Sequence, residues 1–361
     1  MRWKSVALIF AIVLGTAGAT LVIRDVLLDE PELGENGLQR TTRSVVLNEE
    51  REYTVLLPES YSSDRTRRYP VLYVLDGQSQ AGHTAESAAL MARIGVMPEV
   101  IIVGVSSMEG DRRDRDYTPP DMLLDTERAG GATGSGDRFL TFLRDEMIPG
   151  VERDYRTERP RMLAGWSRGG LFVTYSLLAA PALFDARFAH SPALWREGDL
   201  IVGQLERLVA SAQLLEGFLF LSLGEKENEK MKAAFTHAIA VLEKRAPRTL
   251  RWRAVLSRDG VHETNPRWAT PVGFCAFFAP AAEPGAPTCP TAGSMNREPG
   301  TGVFRSTLPC TSYLYIPDRG TRTASSSRST SMSLVVPSDC AWKLVSTRCR
   351  STGCANARMS S

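Results

Sequence analysis

The sequence predicts an α/β domain built on a mostly parallel, twisted sheet with helices on both faces and an antiparallel hairpin at its N-terminal edge. Three observations predict it. Nearly continuous apolar runs of strand length alternate with stretches of helical period. The first two strand-like segments follow each other across a short polar turn, as in a hairpin. Of six cysteines only Cys275 precedes Ala279, so a disulfide framework does not carry the large domain.

The first 24 residues read as an export signal. Arg2 and Lys4 give a positive start, Ser5 to Ile23 carries no charge, and Ala17-Gly18-Ala19 offers small residues for cleavage. The uncharged stretch is also long enough to remain as a membrane anchor, so cleaved and anchored forms both fit. The expected location is outside the cytoplasm, periplasmic or secreted. Residues 25–40 suit a linker, and 41–280 the domain.

Within the domain, Ser44 to Leu47 and Tyr53 to Leu57 read as the hairpin strands, with Asn48 to Arg51 as the turn. Tyr69 to Leu75 is a strand buried on both faces, ending abruptly at Asp76-Gly77. Ala85 to Ile94 is helical and Val100 to Val105 a further buried strand. Met108 to Gly136 reads as a charged, then glycine-rich loop. A helix over Asp137 to Val151 leads to the short strand Arg161 to Gly165 and the helix Gly170 to Leu178. Phe218 to Leu223 is a strand, Met231 to Arg245 a helix, Leu250 to Leu256 the last strand and Trp268 to Phe278 the last helix.

After Phe278 the composition changes. Residues 279–361 hold 24 Ser/Thr and no sustained apolar period, and 281–361 reads as a low-complexity, disordered tail. Three readings fit it: a secreted tail with disulfides among its five cysteines, a small disulfide-rich module, or a lost reading frame near Ala282. The tail has nine Lys/Arg against four Asp/Glu; of the net charge of +2, it holds +5 and the rest −3. No basic field marks nucleic acid as a partner. The four histidines show no ligand spacing and there is no Cys-x-x-Cys, so no metal is expected, and no motif asks for a cofactor.

Gly165-Trp166-Ser167-Arg168-Gly169 carries the chemistry. It is a G-x-S-x-G flanked by a strand before and a helix after, the context that lifts a serine hydroxyl out of a sheet on a strained turn. A serine needs a base, and His262, in the turn-rich loop after the last strand, is the histidine placed to act as one. His237 falls within a helix. His190 follows a short strand and is a candidate to border the cleft. The acid belongs in the loop after Phe218 to Leu223, where Glu225, Glu227 and Glu229 compete. Glu227 is favoured: Glu225 adjoins Gly224 at the strand end, and Glu229 suits the first turn of the next helix. The tetrahedral oxyanion requires two backbone N–H donors, one from Arg168 and one from the Asp76-Gly77-Gln78 loop.

Tyr69-Pro-Val-Leu-Tyr-Val-Leu-Asp-Gly77, Arg115-Asp-Tyr-Thr-Pro119, Gly165-Trp-Ser-Arg-Gly169, Ser191-Pro-Ala-Leu-Trp195 and His262-Glu-Thr-Asn-Pro266 together resemble the esterase D-like family. That family includes siderophore (enterobactin-type) esterases, S-formylglutathione hydrolases, feruloyl esterases and mycolyltransferases. The resemblance covers roughly residues 40 to 278. It implies an α/β-hydrolase fold, cleavage of carboxylic or thioester bonds of a small-molecule substrate, and oxyanion donors at the backbone of Gln78 and Arg168. It supports Glu227 as the acid and puts Arg113 and Arg115 near the cleft, where either could meet an anionic substrate. An acyltransferase would use the same triad, and a binding protein without catalysis the same fold.

Overall fold

A computed structural model describes residues 37–107, 111–125, 131–211 and 215–279, together with the backbone of four short strands beyond them. The proposed signal, most of the linker and the greater part of the tail lie outside the described residues.

Eight strands form the body of one sheet, in the order β1-β2-β4-β3-β5-β6-β7-β8. The hairpin is β1 (Gly37–Ser44) and β2 (Glu49–Leu56), and β2 runs antiparallel to β4 (Ile101–Val105). From there β3 (Tyr69–Leu75), β5 (Thr157–Trp166), β6 (Ala186–His190), β7 (Gly217–Gly224) and β8 (Leu250–Ser257) are all parallel to their neighbours.

The helices are α1 (Gly77–Arg93), α2 (Arg112–Tyr117), α3 (Gly136–Phe142), α4 (Ile148–Asp154), α5 (Arg168–Ala179), α6 (Leu200–Ala210), α7 (Glu229–Arg245) and α8 (Asn265–Phe278). A π turn over Leu143–Met147 joins α3 to α4.

The period of two in the strands sorts the core into two layers. Val71, Tyr73 and Leu75 of β3 and Leu219, Leu221 and Leu223 of β7 face α3 to α7. Leu72 and Val74, with Phe218 and Phe220, face α1 and α8 on the other side. Both faces are covered, which is why these strands read as unbroken apolar runs.

Several boundaries differ from the sequence reading. The hairpin turn is Val45 to Asn48, not Asn48 to Arg51. Glu146 draws the chain round there, its carboxylate accepting from the N–H groups of Val45 and Val46, each at 2.9 Å, while Asn48 takes the left-handed φ of 57°. Helix α1 starts at Gly77, eight residues before the expected Ala85, directly off β3. Helix α2 lies inside the segment expected as loop, and α6 was not anticipated. Cys275 is buried in α8 and disulfide-bonded.

In the tail, expected without regular structure, β9 (Met295–Arg297) pairs with β10 (Phe304–Ser306), which runs parallel to β8 at its outer edge. A second unit, Thr307–Ser361, contains an antiparallel pair, β11 (Leu314–Pro317) with β12 (Met332–Val335).

Candidate active site

The site forms where the parallel strands end at their C-termini, the usual position for function in an open α/β sheet. Ser167 sits between the last residue of β5 and the first of α5, with φ 57° and ψ −115°. Such backbone costs about 1–3 kcal/mol for a residue with a side chain. Its surroundings hold it there: the Ser167 N–H donates to the His190 carbonyl at 2.9 Å, and the Ser167 carbonyl accepts from Leu171 and Ala193, both at 3.0 Å. Two glycines make the turn possible by contact. A Cβ on Gly165 would stand 2.6 Å from the Gly169 backbone, and one on Gly170 2.9 Å from the His190 carbonyl oxygen.

His262 lies in the turn between β8 and α8. Its Nε2 is 2.9 Å from the Ser167 hydroxyl and its Nδ1 2.8 Å from Glu227 Oε2. The indole N–H of Trp166 donates to the His262 carbonyl at 2.9 Å, and the two rings stand 4.9 Å apart. Trp166, the variable position before the serine, thus fixes both backbone and ring of the histidine. Sequence reasoning gave it no role.

Glu227 is buried, and its loop is braced against the histidine loop. The Glu225 N–H donates to the Ser257 carbonyl at 3.0 Å and the Lys226 N–H to the Gly260 carbonyl at 2.9 Å. A Cβ on Gly224 would meet that Gly260 oxygen at 2.5 Å. Glu227 Oε1 accepts from the Ser191 hydroxyl at 2.6 Å and the Gly224 N–H at 2.7 Å. The competing glutamates lie elsewhere: Glu225 accepts from the Asp259 N–H at 3.3 Å, and Glu229 opens α7, exposed, with Lys232 at 3.0 Å.

Gln78 is the second residue of α1 and Arg168 the first of α5. N–H groups in a first helical turn have no partner within the helix and carry the positive end of its dipole. Gly169 lies against Leu75 and Asp76, where an added Cβ would be 3.4 Å from an Asp76 carboxylate oxygen, so the two helix starts are neighbours. The Arg168 side chain points to Thr118 Oγ1 (2.8 Å) and Asp114 (3.0 Å). Burial, and then the Arg196 cation, pull its pKa down to about 10, still charged at neutral pH.

The other candidates are engaged by neighbouring residues. Arg113 forms a two-pronged ion pair with Asp76, at 2.8 and 2.9 Å. Burial acts to lower its pKa, but the Asp76 hydrogen bond and charge outweigh that, and the net shift is upward. Arg115 is held by Glu49 at 2.6 Å and Asp116 at 2.8 Å. The structure does not bring His190 to the cleft. It is 4% exposed, with Nδ1 2.9 Å from the Ser222 hydroxyl, and burial followed by the nearby His83 pulls its pKa down to about 3. A short strand end looks the same in sequence whether its last side chain points into the cleft or under the sheet. Among the described residues, no group of three or more His, Cys, Asp or Glu is arranged to hold a metal.

Known proteins agree with this architecture. A family model described as "Putative esterase" matches residues 44–285. The ferri-bacillibactin esterase BesA of Bacillus subtilis is 31% identical over 176 residues, covering 45% of this chain and 61% of BesA. The siderophore enterobactin esterase of Emericella nidulans is 34% identical over 143 residues, 36% of this chain and 47% of that protein. The chain therefore spans about half to three-fifths of the length of these two relatives. An IroE-like serine hydrolase from Shewanella oneidensis superposes with a TM-score of 0.61 at 29% identity, over 67% of this chain and 80% of that one. With the model covering most of its length, the chain belongs to this esterase family of α/β-hydrolases.

Proposed function

We propose that the protein is an exported serine esterase that cleaves carboxylic esters through an acyl-enzyme on Ser167. The observation that carries the reading is the unbroken hydrogen-bonded line from Ser167 Oγ through His262 to Glu227, at 2.9 and 2.8 Å. Such a line supplies what a serine lacks, a base within reach and a carboxylate that selects the tautomer of that base.

Glu227 holds the His262 proton on Nδ1, leaving Nε2 free to accept from the serine. Ser167 Oγ attacks the ester carbonyl carbon as its proton passes to Nε2, and the imidazolium is stabilised by the buried carboxylate. The oxyanion falls to the N–H groups of Gln78 and Arg168, at two helix N-termini. Collapse breaks the C–O bond, and the leaving alkoxide takes the proton from Nε2. A water then repeats the sequence on the acyl-enzyme, releasing the acid and restoring Ser167. The relatives named as siderophore esterases support a siderophore-type ester as substrate, and residues 1–24 support export.

The test is labelling by a fluorophosphonate and turnover of p-nitrophenyl esters and of a catecholate trilactone. Ser167→Ala should lose labelling and at least about a thousandfold in kcat with the fold intact. Retention of more than about a tenth of the wild-type rate would remove Ser167 from the chemistry.

A further inference from the structure

Behind Glu227 lies a group of buried polar side chains that the reaction steps leave without a task. Ser191, Ser222 and Asn265 are each wholly inaccessible, and Ser257 and His190 nearly so. An unpaired polar group in such a place destabilises the fold, so the partners of each decide what it is for. Asn265 has three, all hydroxyls and all from different parts of the chain: Ser191 after β6 at 2.9 Å, Ser222 in β7 at 3.0 Å and Ser257 at the end of β8 at 2.6 Å.

We propose that Ser191 and Asn265 are positioning residues that aim the Glu227 carboxylate at His262. The inference rests on the reading of Glu227 as the triad acid. Its basis is a count of hydrogens. A carboxylate cannot donate, so the 2.6 Å contact between Ser191 Oγ and Glu227 Oε1 uses the only hydroxyl hydrogen Ser191 has. The Asn265 atom facing Ser191 must then be a donor. That makes it Nδ2, and Oδ1 is left to accept from Ser257. The reversed amide would set two acceptors against each other at Ser191. The second Nδ2 hydrogen goes to Ser222, whose own hydrogen goes to His190 Nδ1 at 2.9 Å. One branch of the set, from Ser257 through Asn265 and Ser191, therefore ends on Glu227, while the other leads through Ser222 to His190.

The consequence for the acid is geometric. Oε1 carries two donors, the Ser191 hydroxyl and the Gly224 N–H, which together stop the carboxylate from rotating. Oε2 remains, directed at His262 Nδ1. Ser191 occupies a left-handed backbone position, φ 44°, secured by its N–H to the Ser222 carbonyl at 2.7 Å. Glycine accepts that conformation more readily than serine, so the hydroxyl, not the backbone, accounts for a serine there.

Ser191→Gly tests this because it removes the hydroxyl while suiting the backbone. The expected result is a kcat about tenfold lower with a KM within about twofold of wild type, and a lower melting temperature, because the Asn265 Nδ2 hydrogen loses its acceptor. On a Glu227→Ala background, where no carboxylate is left to aim, Ser191→Gly should change kcat by less than about twofold. Ser191→Ala, which keeps the Cβ, gives the same two readouts should the glycine variant melt at the assay temperature. A wild-type kcat in the single variant, or the same tenfold factor on both backgrounds, would overturn the proposal while leaving the Ser167 reading intact. A Glu227→Ala protein with wild-type turnover would overturn the triad reading itself, and this inference with it.

Discussion

Two buried carboxylates stand past the C-terminal ends of strands in the sheet, and they are held in opposite ways. Asp76, where β3 meets α1, accepts both prongs of Arg113 and the Ser107 hydroxyl at 2.7 Å. Every strong partner it has is fixed, and its charge is spent on a permanent cation. Glu227, beyond β7, is held only by neutral donors on Oε1, and its other oxygen meets a ring that can gain and lose a proton. Burial alone does not tell the two apart, since both are nearly inaccessible. The partner does: a guanidinium makes Asp76 a strut, and an imidazole makes Glu227 the proposed triad acid.

The sharpest way to break this contrast is to neutralise each carboxylate without changing its shape. Glu227→Gln should reduce kcat by about three to four orders of magnitude, as expected when a triad base loses its tautomer control, with little effect on KM. The same change at Glu225 or Glu229 should stay within about twofold. Steady-state kinetics on one p-nitrophenyl ester decides among the three. A large loss at Glu225 with a mild one at Glu227 would move the acid to Glu225.

The contrast extends to histidine. His83 and His190 lie buried, and burial lowers their pKa values to about 4 and about 3, so both are neutral in the folded chain across the physiological range. Unfolded, each binds a proton below about pH 6.5. The unfolded state therefore gains protons first as pH falls, and stability drops from about pH 6.5 down to the folded values. Near pH 5 the loss should be about 2 kcal/mol for each histidine. Urea unfolding at pH 7 and pH 5 measures it, and replacing His190 by Asn should flatten the slope.

Asp76→Asn should cost stability more than chemistry. Asparagine tolerates the left-handed φ of 55° at this position, so the change isolates the charge. Leaving Arg113 without its counter-ion should cost about 2–3 kcal/mol, below the range for a fully buried pair because the guanidinium is 27% exposed. Thermal melts should show the loss, and kcat/KM should fall by less than about tenfold. A loss of turnover comparable to Glu227→Gln would erase the distinction between the two carboxylates. The smallest effect is expected from Arg115→Ala. Its bonds to Glu49 and Asp116 are partly solvated and backed by the buried Arg51–Asp116 pair, so the melt should shift by less than about 1 kcal/mol in equivalent stability.

What could be read from the sequence follows from how local its cause is. The strained serine turn is legible because Gly165, Ser167 and Gly170 meet within six residues, and β3 because both its faces are apolar. Helix α1 was placed eight residues late because Gly77 and the polar run Gln78 to Gln80 look like loop, yet Gly77 is dictated by β4, where Gly104 leaves no room for a Cβ. Helix α6 has apolar spacing, but it starts from the left-handed residues Gly198 and Asp199 and not from an ordinary cap. Arg113 and Arg115 were visible as cations without partners. The carboxylates that claim them, Asp76 and Glu49, lie 37 and 66 residues away in the chain. Asn265 stood in a recognised motif, but its three hydroxyl partners lie on three other segments, and no spacing announces that.

The residues of the proposed triad are also ordered in time. Glu227 and His262 are 35 positions apart, whereas Ser167 precedes His262 by 95. A ribosome adding about 5–20 residues per second adds Ser167 several seconds before His262 exists. Through that interval no imidazole exists to stand beside Ser167, whose turn itself waits for His190 and Ala193. The proposed triad can close only once β8 has joined β7 and carried the histidine loop to Glu227.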